Sequence, residues 1–360
     1  MSDTNKKSRK VTLSIILSIG LSIAVILLIL YFTLDAKPFE ALSAVHIRYE
    51  FFVAAVLINV LCWVIWGARL KILSNAIDPN VHISLWESTK IVIANMFLAG
   101  ITPSVAGGEP VRIYLLNKDG LSTGGATAAV LGERLIDAIF LLLCLPFAVY
   151  IVKDYINVEF IKIGLYAGVI FFIICIFLLA YAIKYPEKIK TFLIFITEKL
   201  SHLSKKKTGK KSIVQRINHE VDNFHQSMVF FLTREKKAFL QASLLTVLYW
   251  SLGFMIPSMI MLGLGLKPFF IESYAAQAIL LVIVMMPLTP GSSGIAELFT
   301  AGLYAILIGP SLLGVFVILF RFITFHMNMI AGGIFQYHIF KSITAFSLDK
   351  LEKHQENPPE

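Results

Sequence analysis

Uncharged or nearly uncharged stretches of membrane-spanning length recur along this chain, from Val11 to Leu34, Phe51 to Ala68, Ala126 to Val152, Phe160 to Ile183, Phe239 to Leu262 and Leu312 to Ile339. Such runs exceed what a soluble core helix needs, and in hydrocarbon each backbone N–H and C=O must be paired within its own segment. The expected fold is an all-α polytopic membrane protein with six full transmembrane helices. A content of 57% hydrophobic and 15% charged residues agrees. The first run follows Lys6, Lys7, Arg9 and Lys10 as a signal peptide would. Its core is too long and no small-residue cleavage site follows, so it reads as a retained anchor.

Two breaks interrupt the apolar pattern: TPSVAGGEP at Thr102 to Pro110 and TPGSSGIAE at Thr289 to Glu297. Each opens on Thr-Pro and reaches a glutamate at or next to its end, and an arginine follows inside an apolar run, Arg134 after Glu109 and Arg321 after Glu297. Paired breaks at corresponding positions predict a transporter built of two related halves, with the substrate site at the breaks. Non-helical chain at membrane depth must be buried in protein or line a wet cavity. Pro103, Gly107, Gly108 and Pro110 in the first break, and Pro290, Gly291 and Gly294 in the second, demand such a place.

Charge sets the expected topology. The segment Lys184 to Lys237 carries 13 Lys or Arg against 5 Asp or Glu, and the N-terminal tail is also basic. Both stay in the cytoplasm if the chain around each break enters and leaves on one side of the membrane. The expected organisation is residues 1–49 as tail, first span and external loop; 50–183 as half one with a re-entrant hairpin at 86–117; 184–237 as a basic amphipathic cytoplasmic loop; 238–340 as half two with a re-entrant hairpin at 276–308; and 341–360 as a disordered cytoplasmic tail. Half one enters from outside and half two from inside, which makes them inverted repeats of a plasma-membrane protein with both termini cytoplasmic. In the loop, Ile213, Ile217, Val221, Phe224 and Met228 recur at helical spacing, and the lysines between Lys205 and Lys211 would attract anionic inner-leaflet lipid.

Helices restarting after the breaks would aim free N–H groups and positive dipole ends at the midplane, where phosphate or carboxylate binds. Arg112, Arg134 and Arg321 give that place a positive sign, and Ser292 and Ser293 can donate to a phosphate or satisfy the loop backbone. Glu133 and Asp137 flank Arg134 on one helix, so an ion-pair network is expected. Arg134 with Asp137, and Arg321 with Glu297 or Glu109, either clamp the bundle or hold an anionic headgroup while Glu109, Glu133, Asp137 and Glu297 gate it or relay protons. His326 reads as a packing residue in the last span. Cys62, Cys144 and Cys175 lie in apolar segments and read as small hydrophobes. No metal-ligand spacing, P-loop, dinucleotide fingerprint or nucleophile elbow is present, so no cofactor, metal or nucleic-acid partner is expected.

PSVAGGEPVR at Pro103 to Arg112, ERLID at Glu133 to Asp137, TPGSSGIAE at Thr289 to Glu297 and RFITFHMN at Arg321 to Asn328 together resemble the lysylphosphatidylglycerol synthase transmembrane family. This flippase-like family includes uncharacterised bacterial and archaeal membrane proteins and the membrane part of an archaeal N-glycosylation protein. The resemblance covers Phe51 to Phe340. It implies movement of an anionic, phosphate-bearing lipid, such as an aminoacyl-phosphatidylglycerol or a polyprenyl-phosphate-linked sugar. Ser292 stands where the resemblance leads one to expect a second glycine, and Phe325 where it leads one to expect tyrosine. The synthases carry a large soluble aminoacyl-transfer domain, whereas the longest soluble segment here is about 50 residues, too short for such a fold. The expectation is a transporter, not an enzyme. The alternatives are a membrane-embedded transferase using polyprenyl-phosphate donors, with Glu109, Glu133 and Asp137 as acid or base, and a non-transporting scaffold for a separately encoded soluble enzyme.

Overall fold

The computed structural model describes residues 45–101, 108–152, 184–203, 229–231, 233–285, 289 and 292–336, with scattered positions at 40, 43, 163–181 and 218–226. The run Val11 to Leu34, the lysines between Lys205 and Lys211, the tail from Lys341, and Pro103, Gly107, Pro290 and Gly291 lie outside the described residues, as does most of Phe160 to Ile183. What is described is helical, with no strand among the described residues.

The helices are α1 (Tyr49–Ile77), α2 (Leu85–Ile101), α3 (Glu109–Lys118), α4 (Thr123–Val152), α5 (Pro186–Leu203), α6 (Lys236–Gly263), α7 (Phe270–Val284), α8 (Ile295–Tyr304) and α9 (Pro310–Arg321). After α9 the helix continues through a π-helical turn, Phe322–His326, so that Pro310–Gln336 forms one apolar span. Four helices are long and apolar enough to cross a membrane: α1, α4, α6 and Pro310–Gln336. They coincide with four of the six expected runs.

Lengths recur in order. A helix of 29 residues is followed by helices of 17, 10 and 30 (α1 to α4). One of 28 is followed by 15, 10 and a span of 27 (α6 to the last helix). Each break therefore separates a medium helix from a short one, in the same place in both sets. The reason is chemical. Pro110 occupies the first turn of α3, where a missing N–H costs nothing. Gly294 stands at φ 85° before α8, a conformation that an L side chain resists. The helix that precedes the second break runs from Phe270, with Glu272 in its first turn.

The long helices α1 and α6 run antiparallel. Arg48 N donates to Gly263 O at 2.9 Å at one end, and Trp66 packs on Tyr249 with ring centroids 5.9 Å apart further along. Close approach is built in by glycine. A Cβ at Gly263 would meet the Phe52 ring, and one at Gly67 would collide with Thr89 of α2. Each medium helix then crosses to the other set. At Gly332 a Cβ would lie 2.6 Å from Phe97 N and 2.7 Å from Ile93 O, so the last helix sits directly on α2. Trp86 meets Phe335 edge-on at 6.1 Å on the same contact. In the converse crossing, α7 lays Ala276, Ile279 and Ile283 into a core with Leu141, Leu145 and Ala148 of α4.

Two apolar cores result. One gathers the C-terminal half of α4 with α6 to α9, and the other gathers α2, α3 and the N-terminal half of α4 around Leu70 and Leu73 of α1. Phe231, at the end of the basic loop, plugs the second core at 1% exposure. Leu57, Leu143, Phe147, Leu244 and Ile330 point outward and exposed. On four spans of this length they are the lipid-facing surface.

Candidate functional site

The arginines that follow the two breaks all pair with carboxylates inside the bundle. Arg134 on α4 donates from Nε to Glu109 Oε1 at 2.7 Å, and its Nη1 lies 3.3 Å from Asp137 Oδ2. Arg112, three residues into α3, is fully buried, with Nη2 2.6 Å from Glu133 Oε2. A third guanidinium joins them that the expectations above omit. Arg69 of α1 is 1% exposed, bonds Asp137 Oδ1 at 2.8 Å and lies 3.6 Å from Glu133 Oε1. Two indoles finish the carboxylates: Trp66 donates to Glu133 at 3.2 Å and Trp250 to Asp137 at 2.9 Å. The face of Trp66 also receives Arg112 and Arg134, 5.4 Å and 5.9 Å from the ring centroid.

Arg69, Arg112 and Arg134 thus stand against Glu109, Glu133 and Asp137. This corrects the expected positive sign of the site. The cluster is balanced, as buried charges must be when desolvation would otherwise cost several kcal/mol per ion. Arg69 escapes the sequence reading because the apolar run ends at Ala68 and hydropathy suggests a loop there. The helix runs on to Ile77. Extending the helical register would have found it, since Asn59, Trp66 and Arg69 fall on one face at spacings of seven and three.

The second break holds a simpler pair. Arg321 Nε donates to Glu297 Oε1 at 2.8 Å, and the other carboxylate oxygen accepts Gly294 N–H at 2.7 Å, which caps α8. Both side chains are buried. The N-terminus of α8 is therefore satisfied by its own glutamate at this N–H, where a free anion site was expected. Ser292 Oγ donates to Val284 O at 2.8 Å and ties the break back to α7, the backbone role open to it from the sequence. Ser292 holds φ 53°, so serine keeps the left-handed turn for which glycine was expected. Ser293 is fully buried. Phe325 lies under Arg321, 4.1 Å from guanidinium to ring centroid, and this contact uses no hydroxyl. His326 Nδ1 is 3.2 Å from Arg321 O within the π turn, a packing arrangement.

Gly108 packs against Asn95 so closely that a Cβ would collide with the amide. Asn95 itself is 1% exposed, and neither of its amide atoms has a hydrogen-bond partner among the described residues. A second polar group outside the expectations joins Asn59 Nδ2 to Asn328 Oδ1 at 2.7 Å and Trp63 Nε1 to the same oxygen at 3.0 Å.

Two cavities of about 250 Å³ each adjoin these groups. The first is lined by Trp66, Arg69, Glu109, Arg134 and Asp137. The second is lined by Asn59, Cys62, Gln277, Arg321, Thr324 and Asn328 among apolar side chains. Tyr249, Trp250, Leu281 and Val284 border both. Arg134 and Glu109 keep side-chain exposures of 27% and 28%, so theirs is the network's partly open ion pair. No group of three or more His, Cys, Asp or Glu able to hold a metal ion is found among the described residues.

Long apolar helices, interrupted twice and enclosing paired charges, define a multi-pass α-helical membrane protein with a polar interior. The chain belongs to the family described as the lysylphosphatidylglycerol synthase TM region, which it matches over residues 15–332. Its relatives include a UPF0104 membrane protein of Archaeoglobus fulgidus, 33% identical over 330 residues, covering 91% of this chain and 97% of that protein. A UPF0104 membrane protein of Methanocaldococcus jannaschii is 26% identical over 330 residues, covering 90% and 94%. One of Pyrococcus horikoshii is 24% identical over 331 residues, covering 88% and 95%.

Proposed function

We propose that this protein is a flippase-like transporter of the plasma membrane that handles an anionic, phosphate-bearing lipid, such as an aminoacyl-phosphatidylglycerol or a polyprenyl-phosphate-linked substrate. The observation that carries the reading is the Arg134–Glu109 pair. It is the partly exposed edge of a buried charge network, it lines a cavity, and it sits where the chain breaks between α2 and α3. An arginine whose carboxylate partner is partly solvated can release and regain it as an anionic headgroup passes, so the pair can clamp or open the way to the neighbouring cavity. Trp66, Tyr249 and Trp250 give the same cavity an aromatic wall for the adjoining part of a headgroup.

In this reading the protein has six full spans, two re-entrant hairpins and both termini in the cytoplasm. The antiparallel α1 and α6, the repeated order of helix lengths and the crossing of α2 and α7 onto the opposite last span support inverted halves. The basic segment 184–237 supports its cytoplasmic placement, where its lysines would meet anionic inner-leaflet lipid. Mass spectrometry of lipid retained through purification tests the substrate class. Enrichment of an anionic phospholipid or polyprenyl phosphate over its share of the membrane is expected; a retained pool with the bulk membrane composition contradicts it.

A further inference from the structure

The two cavities differ in what they offer an anion. In the first, Arg69 and Arg134 are each bonded to a carboxylate, and Glu109 and Asp137 face the same space. The second has no carboxylate lining it among the described residues. Its charged group is Arg321, 6% exposed, whose Nε is taken by Glu297 while the buried Nη2 has no hydrogen-bond partner among the described residues. The neighbouring amides are already used. Asn328 Oδ1 accepts from Asn59 and Trp63, its Nδ2 donates to Thr324 O at 2.7 Å, and Gln277 Nε2 donates to Tyr304 Oη at 2.9 Å. An unused donor on a buried guanidinium is costly unless something accepts from it.

The geometry points to the second cavity as the seat of the substrate's phosphate: a monoanionic phosphodiester accepted at the Nη edge of Arg321, with the first cavity acting as a balanced clamp beside it. This rests on the reading of the protein as an anionic-lipid transporter and adds which cavity holds the charge. A single guanidinium, already shared with Glu297, suits one negative charge better than the two of a free phosphate dianion. The apolar wall of Ile256, Leu280, Val284 and Phe320 suits the ester arms of a lipid. Asn59 and Asn328 hold the last helix against α1 at the cavity edge, and the π turn that begins just after Arg321 sets its direction.

Gly253 gives a way to test the cavity without touching Arg321. It lines the cavity, and a Cβ built there meets nothing within 4 Å. Calorimetric titration of the full chain in an uncharged detergent would use dioctanoyl-phosphatidylglycerol, inorganic phosphate and dioctanoylglycerol as separate probes. The phosphodiester lipid is expected to bind, inorganic phosphate to bind at least tenfold more weakly, and the phosphate-free lipid to show no saturable binding. Gly253→Leu should weaken lipid binding at least tenfold, as should the paired change Arg321→Gln with Glu297→Gln. Gly309→Leu, at an equally open glycine outside the cavity, should bind as the wild type.

Unchanged lipid binding in Gly253→Leu overturns the assignment, as does absence of lipid binding to the wild type. Equal affinity for inorganic phosphate overturns the phosphodiester and leaves a free-anion site. If the paired variant does not fold, Gly253→Leu decides alone. The two readings fail separately. Lipid binding that Gly253→Leu removes, with no translocation in vesicles, sinks the transporter and keeps the site; translocation that survives Gly253→Leu sinks the site and keeps the transporter.

Discussion

Arg134 donates from Nε to Glu109 Oε1 at 2.7 Å across 25 residues of chain, and Arg321 repeats the bond, Nε to Glu297 Oε1 at 2.8 Å across 24. The repetition reaches further. Trp63 and Trp250 are 187 positions apart, as are Arg134 and Arg321, and each indole donates into the last long helix of the opposite set, to Asn328 and Asp137. The environments differ. The first pair is one-quarter exposed and belongs to a six-charge cluster, whereas the second is buried and its glutamate also caps α8.

Removing Glu297 should therefore cost more than removing Glu109. Glu297→Ala leaves Arg321 buried without its counter-ion and uncaps α8, a loss of roughly 3–5 kcal/mol. Glu109→Ala leaves Arg134 with Asp137 and partial solvent, about 1 kcal/mol. Thermal unfolding in detergent ranks the two; equal losses would contradict the distinction.

Arg69→Leu should destabilise the fold although no motif marks this residue. It strips Asp137 of its shortest charged contact and leaves Glu133 with Arg112 and an indole. A loss of roughly 3–5 kcal/mol is expected for breaking a buried pair on one side. Arg69→Lys should recover only part of it, because one ammonium replaces a fork that reaches two carboxylates. Unfolding midpoints of the two variants check the order.

How much of this was legible in the sequence depends on what marks each feature. Pro110 and Gly294 mark the breaks in any context, and the run lengths give the four spans that the described residues contain. The pairing of Arg321 with Glu297 follows from charges that have little water to turn to, and that of Arg134 with Asp137 from their spacing of three on one helix. Arg69 was hidden because a helix can outlast its apolar stretch, and its partners lie on another helix. The sign of the site was misread for a related reason. Counting arginines near a break does not show that each finds a carboxylate, which only packing decides.

The last helix should not tolerate bulk at Gly332. A methyl there meets the backbone of Phe97 and Ile93, which cannot swing aside as a side chain would. Gly332→Ala should cost about 1–3 kcal/mol as overpacking, while Gly253→Ala, with open space around it, should cost far less. Size-exclusion behaviour and unfolding temperature distinguish them.

The start of α2 carries a pH signature. Ser84 N donates to Glu87 Oε2 at 2.8 Å and Glu87 N to Ser84 Oγ at 3.2 Å, a reciprocal cap. The Ser84 hydroxyl and backbone hold the Glu87 carboxyl below its ordinary value near 4.5. A depressed carboxylate stabilises the fold above the unfolded value and loses that contribution as pH falls through the folded one. Amide exchange at residues 85–88 should therefore quicken below about pH 4.5 in the wild type beyond its intrinsic pH dependence. In Ser84→Ala that extra step should shrink; an identical step in both would refute the cap as its source.

The most direct measurement is translocation of a fluorescent phosphatidylglycerol in vesicles, read as the fraction of headgroups open to an external quencher. Wild-type protein is expected to expose the inner-leaflet pool, and Arg134→Ala and Arg321→Ala, each confirmed folded, to slow this at least tenfold. Translocation at the wild-type rate in both variants, or none by the wild type for any anionic lipid tried, would contradict the account.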